Sequence, residues 1–536
     1  MVQSTPWQNL GTLLDDMAQR TPNRTLFIVE RTSVDVPAAH YTCAEISVRV
    51  NQTAQALHHL GMTKGDRVAV MLPNDVDFPV VWLAIARLGA VMVPTNTGYQ
   101  ERDLTYVLSD SGARAIVIHA DYVSRLRAVR AALPALERVI VVGASAAVVG
   151  EDDDYGTLLA RADAAFVPAE VAADDLLNIQ YTSGTTGFPK GCMLSHDYWL
   201  LLGQTAAHFM QLGAGEVDLT AQPFYYMDPQ WNTVACLMAG ATLVIMERFS
   251  ASRFWGTVQR HGVTVLYMLG TMPFFLLKQD ENPALEQGHR LKMIACSGIV
   301  PDFHHEFERR WKVPWREAFG MTETGVDLVV PLEDASSTGS GAMGVPVPTK
   351  QARVVDGDGQ PVADGAIGEL VVSGRPLMLG YWNKPDITAQ TIRDGWLHTG
   401  DLVYRDEGGY FHWVGRLKDM IRRSGENIAT TEVESVLIEH PAVQAAAVIA
   451  VPDALRGEEV KAYIILKRGE SRASLPPQAL HAFAAQKLAA FKLPRYIEYV
   501  DHLPLTPSER VAKHVLIAAR PDLRTGSYDL VEQVWR

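Results

Sequence analysis

Short apolar runs alternate with amphipathic stretches along most of the chain. Arg67–Met71, Ala115–Ile118, Arg138–Val142, Thr242–Met246 and Val263–Met268 are apolar or β-branched and bounded by turn residues, the pattern of buried strands. Between them, Cys43–Leu60, Tyr122–Ala132 and Ser252–His261 carry helical spacing. Strands alternating with helices predict layered α/β architecture with largely parallel sheets. The most apolar stretch, Phe78–Val93, is broken by Arg87 and Gly89 and is too short to span a bilayer. It reads as a buried helix, Val80–Leu88, followed by a strand, Ala90–Pro94.

The texture changes past residue 340. Ala352–Val355, Gly368–Val372 and Tyr410–Val414 read as hairpin strands, with Asp356–Gly359 and Glu407–Gly409 as turns. This predicts a β-rich subdomain. From Asp419 a fresh pattern begins: helix Thr431–Glu439, strands Val443–Ala450 and Glu459–Leu466, helix Pro477–Leu488, then a polar tail. The expected fold is α/β: a large N-terminal domain of layered α/β subdomains plus the β-rich subdomain, residues 1–417, and a small α+β C-terminal domain, residues 418–536.

A chain of 536 residues exceeds one ordinary core. The net charge of -13 disfavours a nucleic-acid surface. Cys43, Cys192, Cys236 and Cys296 are scattered without a CxxC pair, which argues against disulfides or structural zinc and for a reducing compartment. No secretory signal is evident at the N-terminus, so a cytoplasmic location is expected.

Several motifs invite misreading. Gly339–Gly344 matches GxGxxG, but a polar loop precedes it and Pro346 and Pro348 follow, so it is expected as a loop. Asp356–Gly359 lacks the glutamate that closes a calcium loop. His304 and His305 are expected on a solvated helix face, and Glu151–Asp154 in a solvated loop.

Tyr181–Gly191, reading YTSGTTGFPKG, has a strand candidate before it (Leu176–Gln180) and a helix candidate after it, from Met193 onward. Its glycines permit close backbone approach and its N–H groups can form an anion nest. Thr182, Ser183, Thr185 and Thr186 supply hydroxyl donors, and Lys190 a mobile charge for terminal phosphates. Pro189 and Gly191 around the lysine exclude a Walker A loop.

Together with this segment, Arg87–Pro94, Ser297–Pro301, Phe319–Thr324, His398–Asp401, Gly415–Asp419 and Pro504–Ser508 resemble, in order, the motifs of the adenylate-forming superfamily of acyl-CoA synthetases, nonribosomal adenylation domains and luciferases. The resemblance spans nearly the whole chain. It implies an ATP site built from Thr182, Ser183, Gly184, Thr185, Thr186, Gly187, Lys190, Ser297, Gly298, Phe319, Gly320, Met321, Thr322, Asp401 and Arg416. Thr322 would bond the α-phosphate, Glu323 hold Mg²⁺, and Asp401 with Arg416 take the ribose. A carboxylate suits both the hard cation and a pair of hydroxyls. The C-terminal domain would rotate about Lys418 between half-reactions, with Ser424, Gly425 and Glu426 forming the loop delivered for the coenzyme A step.

The family's C-terminal lysine is displaced. Arg510 stands where it is expected and Lys513 lies three residues on, so either supplies the cation that assists adenylation. Tyr225, Tyr226 and Trp231, with Met227 and Phe319, suggest an aromatic acyl pocket; Asp228 is the one candidate anchor for a substrate amine. The leading expectation is an acyl- or aryl-CoA ligase using ATP, Mg²⁺ and coenzyme A on a small carboxylate. The alternatives are a diazotase-like enzyme that adenylates nitrite for an arylamine, acid adenylation for a carrier or amide-forming acceptor, and a degenerate nucleotide-binding paralogue. No nucleic-acid or membrane partner is expected, and a homodimer is admitted.

Overall fold

A computed structural model describes residues 5–33, 36–143, 146–182, 189–269, 272–423, 426–453, 456–488, 490–506 and 511–536. They divide into two compact units. One takes residues up to 182, 189–352 and 372–397; the other takes 353–371 and 398 onward. Position 417/418 falls within the second unit.

The first unit carries two sheets. In one, Val91–Pro94, Arg67–Met71, Ala115–His119 and Arg138–Val142 run parallel, as their apolar runs predict. Leu176–Thr182 joins beside Val91–Pro94. In the other, Thr25–Glu30, Thr242–Met246, Val217–Thr220, Val265–Leu269, Met293–Ser297 and Trp315–Met321 are parallel neighbours. Gly325–Val329 and Ala342–Pro346 continue it antiparallel. Asp77–Leu88 is the buried helix expected from its composition; every residue from Phe78 to Leu88 is inaccessible. Helices His196–Phe209 and Met227–Ala239 cross so closely at Gly203 that a Cβ there would lie 2.5 Å from Val234 Cγ1. Only glycine permits that approach.

Four expectations are corrected. The helix expected from Met193 is instead preceded by a strand, Lys190–Ser195, paired antiparallel with Leu176–Thr182; the helix starts at His196. Cross-strand pairing overrides the local helical pattern, and Ser195 sets the boundary by accepting from the Tyr198 N–H. His304 is buried rather than solvated: Nε2 meets the Trp315 carbonyl at 3.0 Å and Nδ1 accepts from Gly339 N–H at 3.1 Å. Asp153–Asp154 pairs with Ile140–Val141, and Asp154 caps the Tyr155–Arg161 helix. The polar tail contains a buried strand, Tyr496–Tyr499. Within Gly339–Gly344, residues 339–341 are loop as expected, whereas Ala342–Gly344 open the strand Ala342–Pro346 rather than a helix.

In the second unit, Trp396–Arg405 and Phe411–Arg416 form an antiparallel ribbon around the expected Glu407–Gly409 turn. Val443–Asp453 and Gly457–Leu466 form a long hairpin, and Tyr496–Tyr499 lies parallel to its second strand. Helices Thr430–Ile438 and Pro477–Ala484 supply Val433, Leu437, Leu480 and Ala484 to the core against this sheet.

Candidate active site

The hairpin Leu176–Thr182/Lys190–Ser195 puts Thr182 opposite Lys190, and Thr182 Oγ1 lies 3.4 Å from the Lys190 carbonyl. Ser183, Gly184, Thr185, Thr186 and Gly187 lie outside the described residues, as do Ser424, Gly425 and Arg510 and the side chains of Lys418 and Glu426. Lys190 Nζ sits 4.5 Å from the centroid of the Tyr381 ring. Tyr381 Oη donates to Glu323 Oε1 at 2.7 Å. Lys190 and Glu323 thus both meet one buried tyrosine, the lysine at its ring face and the carboxylate at its hydroxyl.

A second hairpin, Trp315–Met321/Gly325–Val329, holds Thr322 and Glu323 in its turn. Thr324 N–H donates to the Met321 carbonyl at 3.1 Å, and the Thr322 carbonyl accepts from Tyr198 Oη at 2.9 Å. Thr324 Oγ1 bonds Asp327, which forms a buried pair with Lys350 at 3.5 Å. These bonds fix the turn from behind.

Ser297 and Gly298 follow the neighbouring strand. Ser297 Oγ donates to the Ala318 carbonyl and accepts from Tyr267 Oη at 2.7 Å. Gly298 N–H and Ile299 N–H each lie 2.7 Å from a carboxylate oxygen of Glu317. Burial pushes the Glu317 carboxyl up to about 8, against those two N–H donors. Glu317 is a residue that motif reading missed. Its signal is a carboxylate in a mostly buried strand, two residues before Phe319.

A buried amide chain shapes the aromatic wall. Trp82 Nε1 donates to Asn178 Oδ1 at 2.9 Å and Asn178 Nδ2 to Gln230 Oε1 at 2.8 Å. Gln230 Nε2 then donates to the Phe224 and Tyr226 carbonyls, while Gln180 Nε2 donates to that of Tyr225 at 2.7 Å. The Tyr225 and Tyr226 rings lie 4.7 Å apart. Trp231 meets Tyr267 edge-on at 5.3 Å, and its indole N–H lies 3.4 Å from Asp228 Oδ1. Burial pushes the Asp228 carboxyl up to about 6.

In the second unit, Asp401 is 1 % exposed. Its Oδ1 accepts from Arg416 Nε at 2.9 Å and from Trp413 Nε1 at 3.1 Å. Thr399 Oγ1 receives the Asp401 N–H and donates to the Leu370 carbonyl. Trp413 is again a residue sequence reading missed; a tryptophan left half-exposed in a ribbon is its only signal.

Lys513 Nζ is 2.7 Å from Glu434 Oε1 and 2.6 Å from Thr430 Oγ1. Glu434 also accepts from Val448 N–H. Breaking a buried pair costs about 3–5 kcal/mol, and the partial exposure of both partners puts this one at the lower end. Lys513→Met is expected to lower the melting temperature of the chain, and Glu434→Gln added to it to restore most of the loss. Unchanged melting of both variants would release Lys513 from this structural role.

Residues 14–382 match the profile of the AMP-binding enzyme family, and 432–510 that of the AMP-binding enzyme C-terminal domain. A crotonobetaine/carnitine–CoA ligase of Salmonella paratyphi A is 31% identical over 516 residues, covering 94% of this chain and 98% of the relative. The anthranilate CoA ligase AuaEII, solved with anthranoyl-AMP, superposes with a TM-score of 0.83 at 26% identity over 96% of this chain and 98% of its own. ATP-bound MatB from Rhodopseudomonas palustris does so with a TM-score of 0.83 at 28% identity, over 96% and 100%. The chain belongs to the AMP-binding enzyme family, within the adenylate-forming superfamily that its motifs resemble. It is an AMP-forming ligase of the acid–thiol kind, and the diazotase-like alternative is not favoured. Among the described residues no helix is long and apolar enough to cross a membrane.

Proposed function

We propose that this enzyme joins an acid bearing a nitrogen group to coenzyme A in two steps. A carboxylate oxygen attacks the α-phosphorus of ATP, the bond to the β-phosphate oxygen breaks, and pyrophosphate leaves. The thiolate of coenzyme A then attacks the acyl carbon and AMP departs. The residues act mainly by position and charge, because charge spreads over the transferring phosphoryl oxygens. Lys190 and Thr322 would serve the phosphates, and Asp401 and Arg416 the ribose. The hydroxyls and backbone of Thr182–Gly187 complete the phosphate cradle in this reading, with Ser297, Gly298, Phe319, Gly320 and Met321 flanking the nucleotide.

Glu323 fits a Mg²⁺ ligand. It is one carboxylate with an oxygen already oriented by Tyr381, and among the described residues no group of three or more His, Cys, Asp or Glu is assembled for a metal. Mg²⁺ suits such a site because it takes its remaining ligands from phosphates and water. When bound it would neutralise phosphate charge.

Engagement of Lys513 by Glu434 supports Arg510 as the cation that assists adenylation. The domain division at 417/418, the hinge at Lys418, the role of Ser424–Glu426 in thioester formation, cytoplasmic residence and homodimerisation belong to the same proposal. The C-terminal family match over 432–510 supports the division.

The single observation that carries the substrate class is Asp228. Its carboxylate lies against the aromatic wall formed by Trp231 and Tyr267, and Tyr267 reaches Ser297. A carboxylate among rings favours an ammonium or an N–H donor. Crotonobetaine and carnitine, for which the relatives are named, carry a quaternary ammonium, and anthranilate an amine.

The test is AMP and thioester formation over a panel of carboxylic acids, with and without coenzyme A. Thioester from nitrogen-bearing acids is expected; AMP release that needs nitrite and ignores coenzyme A would overturn the reading. Asp228 also predicts a pH signature. The carboxyl is charged above about 6, so cation binding is present there and lost as pH falls through that value. Well below it, KM for a cationic acid should rise about tenfold per pH unit, while that of a neutral analogue stays level. Parallel profiles for the two acids would remove Asp228 from the pocket.

A further inference from the structure

We propose that Tyr381 is the positioning residue that keeps the metal-holding carboxylate and the phosphate-binding lysine oriented and apart. The inference rests on the reading of Glu323 and Lys190 given above. It is carried by one side chain that touches both. The phenol donates to Glu323 Oε1 at 2.7 Å, and the ring face lies 4.5 Å from Lys190 Nζ. No direct Lys190–Glu323 ion pair exists among the described residues.

The ring is locked in place. Tyr381 is 4 % exposed, and its N–H donates to Thr388 Oγ1 at 2.9 Å. The segment around it ties the two ATP motifs by backbone bonds of 2.8 Å: Met378 N–H to the Glu323 carbonyl, Leu379 N–H to that of Met193, and Trp382 N–H to that of Gly191. Gly380 and Tyr381 pair with Met193 and Cys192. Its neighbours Gly191 and Glu323 thus come from the two separate hairpins that carry the phosphate lysine and the metal carboxylate.

The chemistry follows from the contacts. A phenol O–H holds one carboxylate oxygen of Glu323 in a fixed orientation. The ring attracts the ammonium without neutralising it. An ammonium and a carboxylate free to meet would pair, and each would then be less available to phosphate or metal.

Equilibrium binding of ATP to the full chain, by titration calorimetry without acid substrate, separates these roles. Dissociation constants are measured with Mg²⁺ and with chelator. In Tyr381→Phe the ring stays and the donor goes. The Mg²⁺ enhancement of binding should fall by about tenfold, the loss of one hydrogen bond to a charged group, with metal-free ATP affinity retained. In Tyr381→Leu the spacer goes as well, so binding weakens in both conditions. Thermal melting of each variant confirms folding, and Tyr381→Phe carries the test alone if the leucine variant does not fold. Glu323→Gln separates the levels. If it leaves the Mg²⁺ enhancement intact, the metal reading fails and this inference with it. If it abolishes the enhancement while Tyr381→Phe keeps the parent's value, the positioning role alone is overturned. Unchanged metal-free binding in a folded Tyr381→Leu would overturn the spacer role.

Discussion

Gly320→Ala will reduce ATP-dependent pyrophosphate release by about a hundredfold or more, because a reacting group displaced by about 1 Å loses that much. The reason is steric and local. Gly320 stands opposite Val326 in the hairpin that carries Thr322 and Glu323, with Met321 opposite Gly325. A Cβ at position 320 would lie 2.0 Å from the Gly325 carbonyl oxygen and 3.1 Å from Val326 Cα. Both are backbone atoms, so no side chain can swing away. The strands must part, and the turn between them moves. The bonds that anchor the turn, Thr324 to Asp327 and the Thr322 carbonyl to Tyr198, are then strained or lost. Stability falls as well, by about 1–3 kcal/mol for overpacking of this kind. Gly357→Ala is the matched control, since a Cβ there meets nothing within 4 Å. Pyrophosphate release and thermal melting read the two effects separately. Activity of Gly320→Ala within threefold of the parent would mean that the hairpin does not position the reacting groups.

The same hairpin shows what could be read from the residues alone. Phe319–Thr324 stands out in sequence because consecutive side chains carry its candidate chemistry, and the structure places it in a hairpin turn. The parallel strands were legible for a similar reason: Arg67–Met71, Arg138–Val142 and Thr242–Met246 appear with the bounds their apolar runs predict. What was not legible depends on distant partners. Met193–Ser195 reads as the entry to a helix because its own residues permit one, and only pairing with Leu176–Thr182 makes it the end of a strand. His304 looked solvated beside His305 because nothing nearby in the chain announces the Trp315 carbonyl and Gly339 N–H that bury it. Tyr381 is 58 residues from Glu323 in sequence, and Gln230 is 52 from Asn178. Such side chains support a motif without belonging to it, and the fold alone brings them together.

Asp401→Ala is the second large effect, and it should fall on nucleotide affinity. Asp401 has two carboxylate oxygens, the number needed for two ribose hydroxyls. The protein holds it ready: Thr399 fixes its backbone, and Arg416 Nε and Trp413 Nε1 converge on Oδ1. A hydrogen bond to a charged group contributes about 1.5–3 kcal/mol, so losing two raises KM for ATP by about 10²-fold or more. The variant has a second consequence that a purely structural carboxylate would lack. Discrimination between ATP and 2′-deoxy-ATP, which the parent should show, will collapse toward unity once the acceptor is gone. Asp401→Asn keeps the shape and one acceptor oxygen, so it should fall between parent and alanine on both measures. Arg416 and Trp413 lose a shared partner in Asp401→Ala, and a decrease in melting temperature is expected with it. The ratio of kcat/KM for the two nucleotides, measured in folded protein, is the decisive quantity. If the parent already accepts 2′-deoxy-ATP as well as ATP, or if the alanine variant keeps the parent's preference, Asp401 does not carry the ribose.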